Sequence, residues 1–294
     1  MNIRQITIVG TGLIGGSFAL ALKKHGFRGR IVGCDRESVL TQARKIGAID
    51  AAVADPAEAS VGSDVVLLAP NVGTIIDLVE RLGPVISSET LLTDVGSTKA
   101  EIAARARAVF GKDAANRFLP GHPMAGKEHS GIENADADLF AGATWAITPF
   151  ENNIPVGSPA AAFLDLVRSV GAHILSMAPD RHDWACAWIS HLPQLVSTAL
   201  AASLANEFAS DPEALELGGP TLRDMTRVAA SPYSMWRDVA LTNPSNIQEA
   251  LLRLEQRLAH LRENLSTREL ESEFASANKL RKTLTTKNTK GHKE

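Results

Sequence analysis

Short apolar runs rich in β-branched residues alternate with longer amphipathic segments over the first 178 residues or so. This alternation predicts repeated strand–helix units and therefore a parallel sheet. The run Val-Val-Leu-Leu-Ala at 65–69 has the continuous apolar character that a strand needs when helices cover both faces of its sheet. Seven strands are expected, at Gln5–Val9, Arg30–Gly33, Asp64–Ala69, Thr90–Asp94, Arg117–Pro120, Thr144–Thr148 and Ala172–Met177.

After Pro179 the strand pattern gives way to helical periodicity, which Gly, Ser, Asn and Pro interrupt near 218–220, 231–232 and 243–245. We therefore predict an α/β domain with a doubly wound parallel sheet at 1–178. An all-α domain is predicted at 179–294, with a frayed basic tail from about residue 286. Leucines and one isoleucine recur at steps of three and four in its last long helix, at Ile247, Leu251, Leu254, Leu258, Leu261 and Leu265.

Such an apolar seam has to be covered, either by the same chain or by a second copy of it. We favour a homodimer that shares its helical domains, with an intrachain core as the alternative. The predicted helical domain would then serve both dimerisation and substrate binding.

Composition narrows the class of protein. Hydrophobic residues make up 45% and charged residues 21% of 294 residues, which is typical of a globular enzyme, and the net charge of −3 offers no basic field for nucleic acid. The two cysteines, Cys34 and Cys186, are far apart and show no metal-ligand or disulfide spacing. We expect a cytoplasmic protein without membrane contact and without a metal.

A glycine-rich turn follows the first predicted strand and precedes a helix-forming run. Gly10 permits the tight turn, Gly12 lets the backbone approach a pyrophosphate, and Gly15 allows close packing of helix on strand. Leu13 and Ile14 lie between them, so that the helix N-terminus offers amide donors to a phosphate. This order of strand, glycines and helix predicts a Rossmann-type dinucleotide-binding domain.

An acidic residue, Asp35, stands 20 residues beyond Gly15 at the end of the second predicted strand. A carboxylate there can accept hydrogen bonds from an adenosine ribose and would repel a 2′-phosphate, which favours NAD over NADP. Arg36 weakens that choice, because a guanidinium can stack on adenine or pair with a phosphate. The alternative is that the glycines are ordinary turn residues and Asp35 is a solvated acid.

Candidate catalytic residues follow two later strands, at the sheet edge where ligands of parallel sheets bind. His122 follows Phe118–Pro120, and a neutral imidazole is suited to take a hydroxyl proton while hydride leaves the same carbon. A His-Pro pair in a surface turn would need no such role. Ser97 follows the strand that ends at Asp94, and its residue type also predicts an N-cap for a helix opening at Thr98.

The chain resembles the prephenate dehydrogenase family along essentially its whole length. Five separated segments carry the resemblance: 9–17 (VGTGLIGGS), 94–99 (DVGSTK), 121–126 (GHPMAG), 190–193 (SHLP), and 224–229 (DMTRVA) with 235–237 (MWR). The resemblance implies an NAD-dependent oxidoreductase that converts prephenate to 4-hydroxyphenylpyruvate in tyrosine biosynthesis. Arogenate dehydrogenase is the first alternative.

The resemblance also implies roles for individual residues. The histidine at His122 would accept the proton of the substrate hydroxyl, and Ser97 would orient it and contact the nicotinamide region. Arg227 would bind a substrate carboxylate, unless it only pairs with Asp224 one helical turn earlier. Four further residues would line the substrate pocket: His191 from the helical side, Glu128 at the mouth, Trp236 in the wall, and Gln194.

One position departs from the family pattern. Many members read Ser-His-Leu-Pro-His, whereas Gln194 takes the place of the last histidine here. The resemblance links that histidine to recognition of the substrate side chain and to inhibition by tyrosine, so both substrate choice and feedback control stay open.

Two other functions are compatible with parts of the pattern. A β-hydroxyacid dehydrogenase shares the domain arrangement but needs a catalytic lysine, and residues 180–208 contain no lysine. A non-catalytic NAD-sensing protein would leave His122 and Arg227 without converging roles. Incubation with NAD and prephenate separates the enzyme from the sensor.

Overall fold

The computed structural model describes residues 2–127, 129–151 and 154–290, and the chain folds into two compact units, Met1–Pro244 and Ser245–Glu294. Nine strands are described: β1 Gln5–Val9, β2 Arg30–Cys34, β3 Ala51–Ala52, β4 Val65–Leu68, β5 Leu91–Asp94, β6 Phe118–Leu119, β7 Gly121–Pro123, β8 Thr144–Ile147 and β9 His173–Ser176. Seven α-helices accompany them: α1 Leu13–Lys24, α2 Glu37–Lys45, α3 Pro56–Ser60, α4 Val72–Leu82, α5 Ala100–Phe110, α6 Ala114–Arg117 and α7 Pro159–Ser169.

From Pro179 onward the described chain is helical, as predicted. The α-helices are α8 Pro179–Cys186, α9 Leu192–Glu207, α10 Pro220–Thr226, α11 Tyr233–Thr242, α12 Pro244–Glu263 and α13 Leu270–Lys290. A π-helical turn, Ala187–His191, joins α8 to α9, and short 3₁₀ segments occupy Pro212–Leu217 and Arg227–Ala230. Three of these helices begin at or directly after a proline that the sequence marked as a break.

Six parallel strands form the main sheet in the order β3-β2-β1-β4-β5-β6. Residues along β4 alternate between two buried clusters, with Val65 and Leu67 in one and Val66 and Leu68 in the other. The alternation shows why the strand is apolar throughout, because helices cover both faces of the sheet. The doubly wound parallel sheet expected from the sequence is thereby confirmed.

A second sheet, β7-β8-β9, was not expected as a separate unit. β7 pairs antiparallel with β8, and β8 pairs parallel with β9, so the last strands of the α/β region do not continue the main sheet. β3 and β7 were missed because they are short and contain no β-branched residues. The consequence for the site is that His122 lies within β7 and is held at Ala146 of β8 by strand pairing.

The first unit includes helices that follow the predicted domain boundary at 178/179. Asp238 of α11 accepts the backbone N–H of Gly73 at the start of α4, which ties helical residues to the α/β region. The boundary itself coincides with the start of α8 and stays a prediction. The predicted tail from about residue 286 falls at the end of α13 and on residues 291–294, which lie outside the described residues.

Candidate active site

A cleft opens where the strand order reverses, between the carboxyl ends of β1 and β4. Gly10 follows β1 at φ +94°, and a Cβ there would lie 2.7 Å from the carbonyl carbon of Ala69 after β4. Only glycine permits this approach, because the side chain would clash with backbone and the φ angle disfavours other residues. The cleft has a volume of about 800 Å³. Ligands of open parallel sheets bind at such a reversal point.

The backbone geometry of the cleft and the orientation of the Asp35 carboxylate fit a dinucleotide. A Cβ at Gly12 would meet nothing within 4 Å, which leaves open space above the start of α1, whereas a Cβ at Gly15 would lie 2.1 Å from the carbonyl oxygen of Gly10. Asp35 accepts the N–H of Thr11 at 2.8 Å and that of Arg36 at 2.7 Å. Leu13, Ile14 and the exposed Arg36 also line the cleft.

His122 borders the same cleft and belongs to a hydrogen-bonded chain of three residues. Its Nδ1 lies 2.9 Å from Nε2 of His182, and Nδ1 of His182 lies 2.8 Å from a carboxylate oxygen of Asp183. A carboxylate only accepts, so His182 carries its proton on Nδ1 and offers its Nε2 lone pair to the Nδ1–H of His122. That assignment leaves the Nε2 of His122 unprotonated and able to accept a proton.

The side chain of Asp183 is held by two backbone amides at the start of α5 as well as by His182. Its two carboxylate oxygens accept the backbone N–H groups of Lys99, at 2.7 Å, and Ala100, at 2.8 Å. These amides open α5, which has no capping side chain of its own. The expected N-cap role of Ser97 is therefore wrong, because the helix begins at Ala100 and Asp183 supplies the acceptor from α8. Ser97 lines the cleft together with His122.

A fully buried ion pair underlies the segment that carries Ser97. Lys99 and Asp94 have no exposed side-chain surface, and the Lys99 ammonium contacts the Asp94 carboxylate. Asp94 also accepts the N–H of Gly96 at 2.7 Å and that of Gly121 at 3.2 Å, so one carboxylate joins the loop after β5 to the start of β7. This arrangement holds Ser97 and His122 at a defined separation without placing either in the ion pair.

Burial lowers the pKa of two histidines in this region, His122 and His191. Burial, followed by the nearby His182, Lys99 and His191, holds the pKa of His122 well below 6.5. Burial also lowers the pKa of His191 to about 4, against an opposing effect of Asp183. The direction follows because a low-dielectric site disfavours the charged imidazolium. His122 is thus neutral at neutral pH, the form in which it can take up a proton.

Two of the pocket residues predicted on the helical side, His191 and Trp236, contact each other. Asn243 connects them to Asp183, which orients His182. Asn243 donates to the backbone carbonyl of Asp183 at 2.8 Å and lies 3.4 Å from Nδ1 of the buried His191. His191 meets the ring of Trp236 edge to face at 5.9 Å between centroids. Among the described residues, the Trp236 Nε1–H is buried without a hydrogen-bond partner.

Gln194 holds the segment that carries Arg227. Its side-chain amide donates to the carbonyl of Val228 at 2.8 Å and to Thr198 at 3.2 Å. Arg227 is exposed at the start of the 3₁₀ segment and is not among the described residues that line the cleft around His122. Glu128 lies outside the described residues.

Sequence reasoning missed His182 and Asp183, the two residues that orient the ring of His122. The pair stands in α8, about 60 residues after His122 in the chain. The available signal was the adjacent His-Asp pair, with a cysteine four residues after the histidine.

The Rossmann-type sheet, the glycine turn and the neutral imidazole in the cleft together define a nucleotide-dependent dehydrogenase. Two family models cover the chain: the prephenate dehydrogenase nucleotide-binding domain matches residues 18–175, and the prephenate dehydrogenase dimerization domain matches residues 178–285. The chain belongs to the prephenate dehydrogenase family.

Individual relatives agree with this membership. A prephenate dehydrogenase of Bacillus subtilis is 34% identical over 248 residues, which are 82% of this chain and 65% of the relative, so this chain spans somewhat less than two thirds of that protein. The crystal structure of an Aquifex aeolicus prephenate dehydrogenase with hydroxyphenyl propionate and NAD⁺ has a TM-score of 0.83 at 31% identity, covering 98% of this chain and 99% of that one. A Synechocystis arogenate dehydrogenase has a TM-score of 0.74 at 29% identity, covering 97% and 99%.

Proposed function

We propose that this protein is an NAD-dependent dehydrogenase that oxidatively decarboxylates prephenate to 4-hydroxyphenylpyruvate, a step of tyrosine biosynthesis. The observation that carries the proposal is the chain from Asp183 through His182 to His122, which ends at the dinucleotide cleft. It supplies a neutral base in the tautomer the reaction needs. Family membership supplies the substrate class.

His122 acts as the general base of this reaction. Its Nε2 accepts the proton of the ring hydroxyl, while its Nδ1–H stays bonded to His182 and the orientation of the ring is kept. Ser97, beside it in the cleft, orients the hydroxyl. Aromatisation of the ring drives loss of the carboxylate as carbon dioxide.

The glycine turn and Asp35 would hold the cofactor. NAD, when bound, accepts the hydride from the carbinol carbon. Gly10, Gly12 and Gly15 shape the turn, and Asp35 is aimed into the cleft by the Thr11 and Arg36 amides, where it would accept hydrogen bonds from the ribose. A 2′-phosphate would meet that carboxylate, so NAD is favoured over NADP.

The pocket beyond His122 would receive the substrate's carboxylates and side chain. Arg227 would hold a carboxylate through its planar guanidinium, and Glu128 would stand at the mouth. The substrate side chain would be surrounded by His191, Trp236 and Gln194, where the buried Trp236 Nε1–H is an available donor.

The non-catalytic alternative is tested by incubating the protein with NAD and prephenate. Absence of NAD reduction would remove the enzymatic proposal.

Arogenate is the second candidate substrate, for two reasons. Gln194 replaces a histidine that many members have, and an arogenate dehydrogenase is among the structural relatives. The experiment is to measure initial rates with prephenate and with arogenate, each with NAD and with NADP. We expect the highest kcat/KM with prephenate and NAD, and a higher value with arogenate would reassign the substrate.

The helical region supports a proposal about the quaternary state. Two leucines of the predicted apolar seam are exposed in the second unit: Leu258 of α12 is 55% exposed, and Leu265, in the turn after α12, is 72% exposed. Apolar seams of this kind are covered in the stable protein, and the matching family model is that of a dimerisation domain. A homodimer through the helical domain is therefore proposed, to be checked by light scattering.

Two features of the described residues are compatible with a cytoplasmic location. Within the described residues, no helix combines the length and apolar character that crossing a bilayer requires. Both described cysteines are free thiols, which suits a reducing compartment. We place the enzyme in the cytoplasm, testable by fractionation.

A further inference from the structure

Three potential metal ligands from two elements meet beneath the cleft. One potential ligand atom from each of His122, His182 and Cys186 lies within 4.8 Å of the other two. The Nδ1 of His122 and the Nε2 of His182 are 2.9 Å apart, and the Sγ of Cys186 is 3.4 Å from Nε2 of His182. No other group of three or more His, Cys, Asp or Glu side chains with this proximity occurs among the described residues.

These separations are close to those around a tetrahedral zinc ion. Zinc bonds of about 2.0–2.1 Å to nitrogen and about 2.3 Å to sulfur place neighbouring ligands roughly 3.3–3.6 Å apart. The His182 nitrogen and the Cys186 sulfur already stand at that spacing. The two imidazoles would have to separate by a few tenths of an ångström.

The surroundings of His182 also suit a ligand. Its Nδ1–H donates to Asp183, which is itself fixed by two backbone amides, so its Nε2 lone pair is aimed at the centre of the cluster. A carboxylate that orients a histidine from behind is the usual support of zinc-binding imidazoles. The donor set of two imidazoles and one thiol selects a borderline or soft ion over Mg²⁺ or Ca²⁺.

We propose that His122, His182 and Cys186 form an inhibitory site for Zn²⁺ and related borderline-soft divalent cations, with water as the fourth ligand. Binding converts the Cys186 thiol to a thiolate and releases its proton to solvent. The proton of His122 moves from Nδ1 to Nε2 through solvent, because Nδ1 must offer its lone pair to the ion. One proton is released for each ion bound.

This tautomer change is the source of inhibition. With a proton already on Nε2, His122 has no lone pair for the substrate hydroxyl. The inhibition rests on the proposed role of His122, whereas binding of the ion does not. The two can therefore fail separately.

Binding is tested on the full-length protein with Co²⁺, which reports a thiolate ligand by its near-ultraviolet charge-transfer absorption. We expect one equivalent to give this absorption in the wild type and in Cys34→Ser, the matched control at the other buried cysteine. Cys186→Ser, which keeps a hydrogen-bonding group beside His182, should lose it. A wild-type spectrum without the thiolate band, or an unchanged band in Cys186→Ser, would overturn the site.

Inhibition is tested with Zn²⁺ in chelator-free, thiol-free buffer. Zn²⁺ should inhibit the wild type and Cys34→Ser reversibly, with EDTA restoring activity. In Cys186→Ser the inhibition constant should rise by at least about tenfold, since loss of a supporting group alone has effects of that size. Equal inhibition of wild type and Cys186→Ser overturns the inhibitory site. If the protein fails to oxidise prephenate but gives the Co²⁺ band, the proposed function fails and the metal site stands.

Discussion

The Nδ1 of His122 lies 2.9 Å from the Nε2 of His182, although the two residues are 60 positions apart in the chain. Asp183 fixes the tautomer of His182, and His182 in turn fixes that of His122. The orientation of one imidazole thus depends on helix α8, on the amides that open α5 and on the pairing of β7 with β8.

Replacing His122 by Asn should reduce kcat by roughly 10²–10⁴-fold, the usual contribution of a positioned general base. NAD binding, followed by quenching of protein fluorescence, should stay near the wild-type level because the glycine turn is untouched. His25→Asn, at an exposed position after α1, is the control for a histidine change as such. Wild-type turnover in His122→Asn would remove this residue from the mechanism.

The pH profile of kcat/KM should report the environment of His122. Because burial and neighbouring groups hold its pKa well below 6.5, the base stays neutral and active as pH falls to that value. Activity should be lost only at lower pH, when the imidazole takes up a proton. The measurement is made with EDTA present, and an acid limb at or above 6.5 contradicts the assignment.

Replacing His182 by Ala tests it as a positioning residue. The substitution removes a group that lowers the pKa of His122 and lets water reach the ring, so the acid limb should move to higher pH. We expect kcat to fall with little change in KM for NAD, and His182→Gln, which keeps an acceptor, to recover part of kcat. A lower kcat with an unmoved pH profile would indicate a purely structural role.

Replacing Arg227 by Ala should raise KM for prephenate by about tenfold or more, since a hydrogen-bonded charge contributes roughly 1.5–3 kcal/mol. Arg227→Lys should recover only part of the loss, because an ammonium cannot hold a carboxylate through two parallel bonds. Arg223→Ala, an exposed arginine on α10, is the matched control. An unaltered substrate dependence in Arg227→Ala assigns this residue to structure.

Substitutions at two glycines of the turn should affect different properties, one the affinity for NAD and the other the stability of the fold. Gly12→Ala meets nothing within 4 Å, so its thermal midpoint should stay near wild type while the Kd for NAD rises by about tenfold, or roughly 1.4 kcal/mol. Gly15→Ala forces a methyl against the carbonyl oxygen of Gly10 and should lower stability by about 1–3 kcal/mol. Wild-type affinity for NAD in Gly12→Ala would show that the cofactor does not approach this backbone.

The sequence by itself determined the fold class, the nucleotide turn and the family. Apolar runs such as 65–68 can be read as buried strands because burial on both sheet faces leaves no alternation. Gly10, Gly12, Gly15 and the acid Asp35 are local in the chain, so their spacing carries their meaning. His122 and Ser97 were found by their places after strands.

Only the tertiary structure decided how these residues work together. The short strand β7, the second sheet and the capping of α5 by Asp183 depend on contacts between distant segments. The same holds for the grouping of His122 with His182 and Cys186, because His122 lies about 60 residues before the helix that carries the other two. Hydrogen bonds and ligand sets act over a few ångströms in space, whereas sequence patterns register neighbours in a strand or helix.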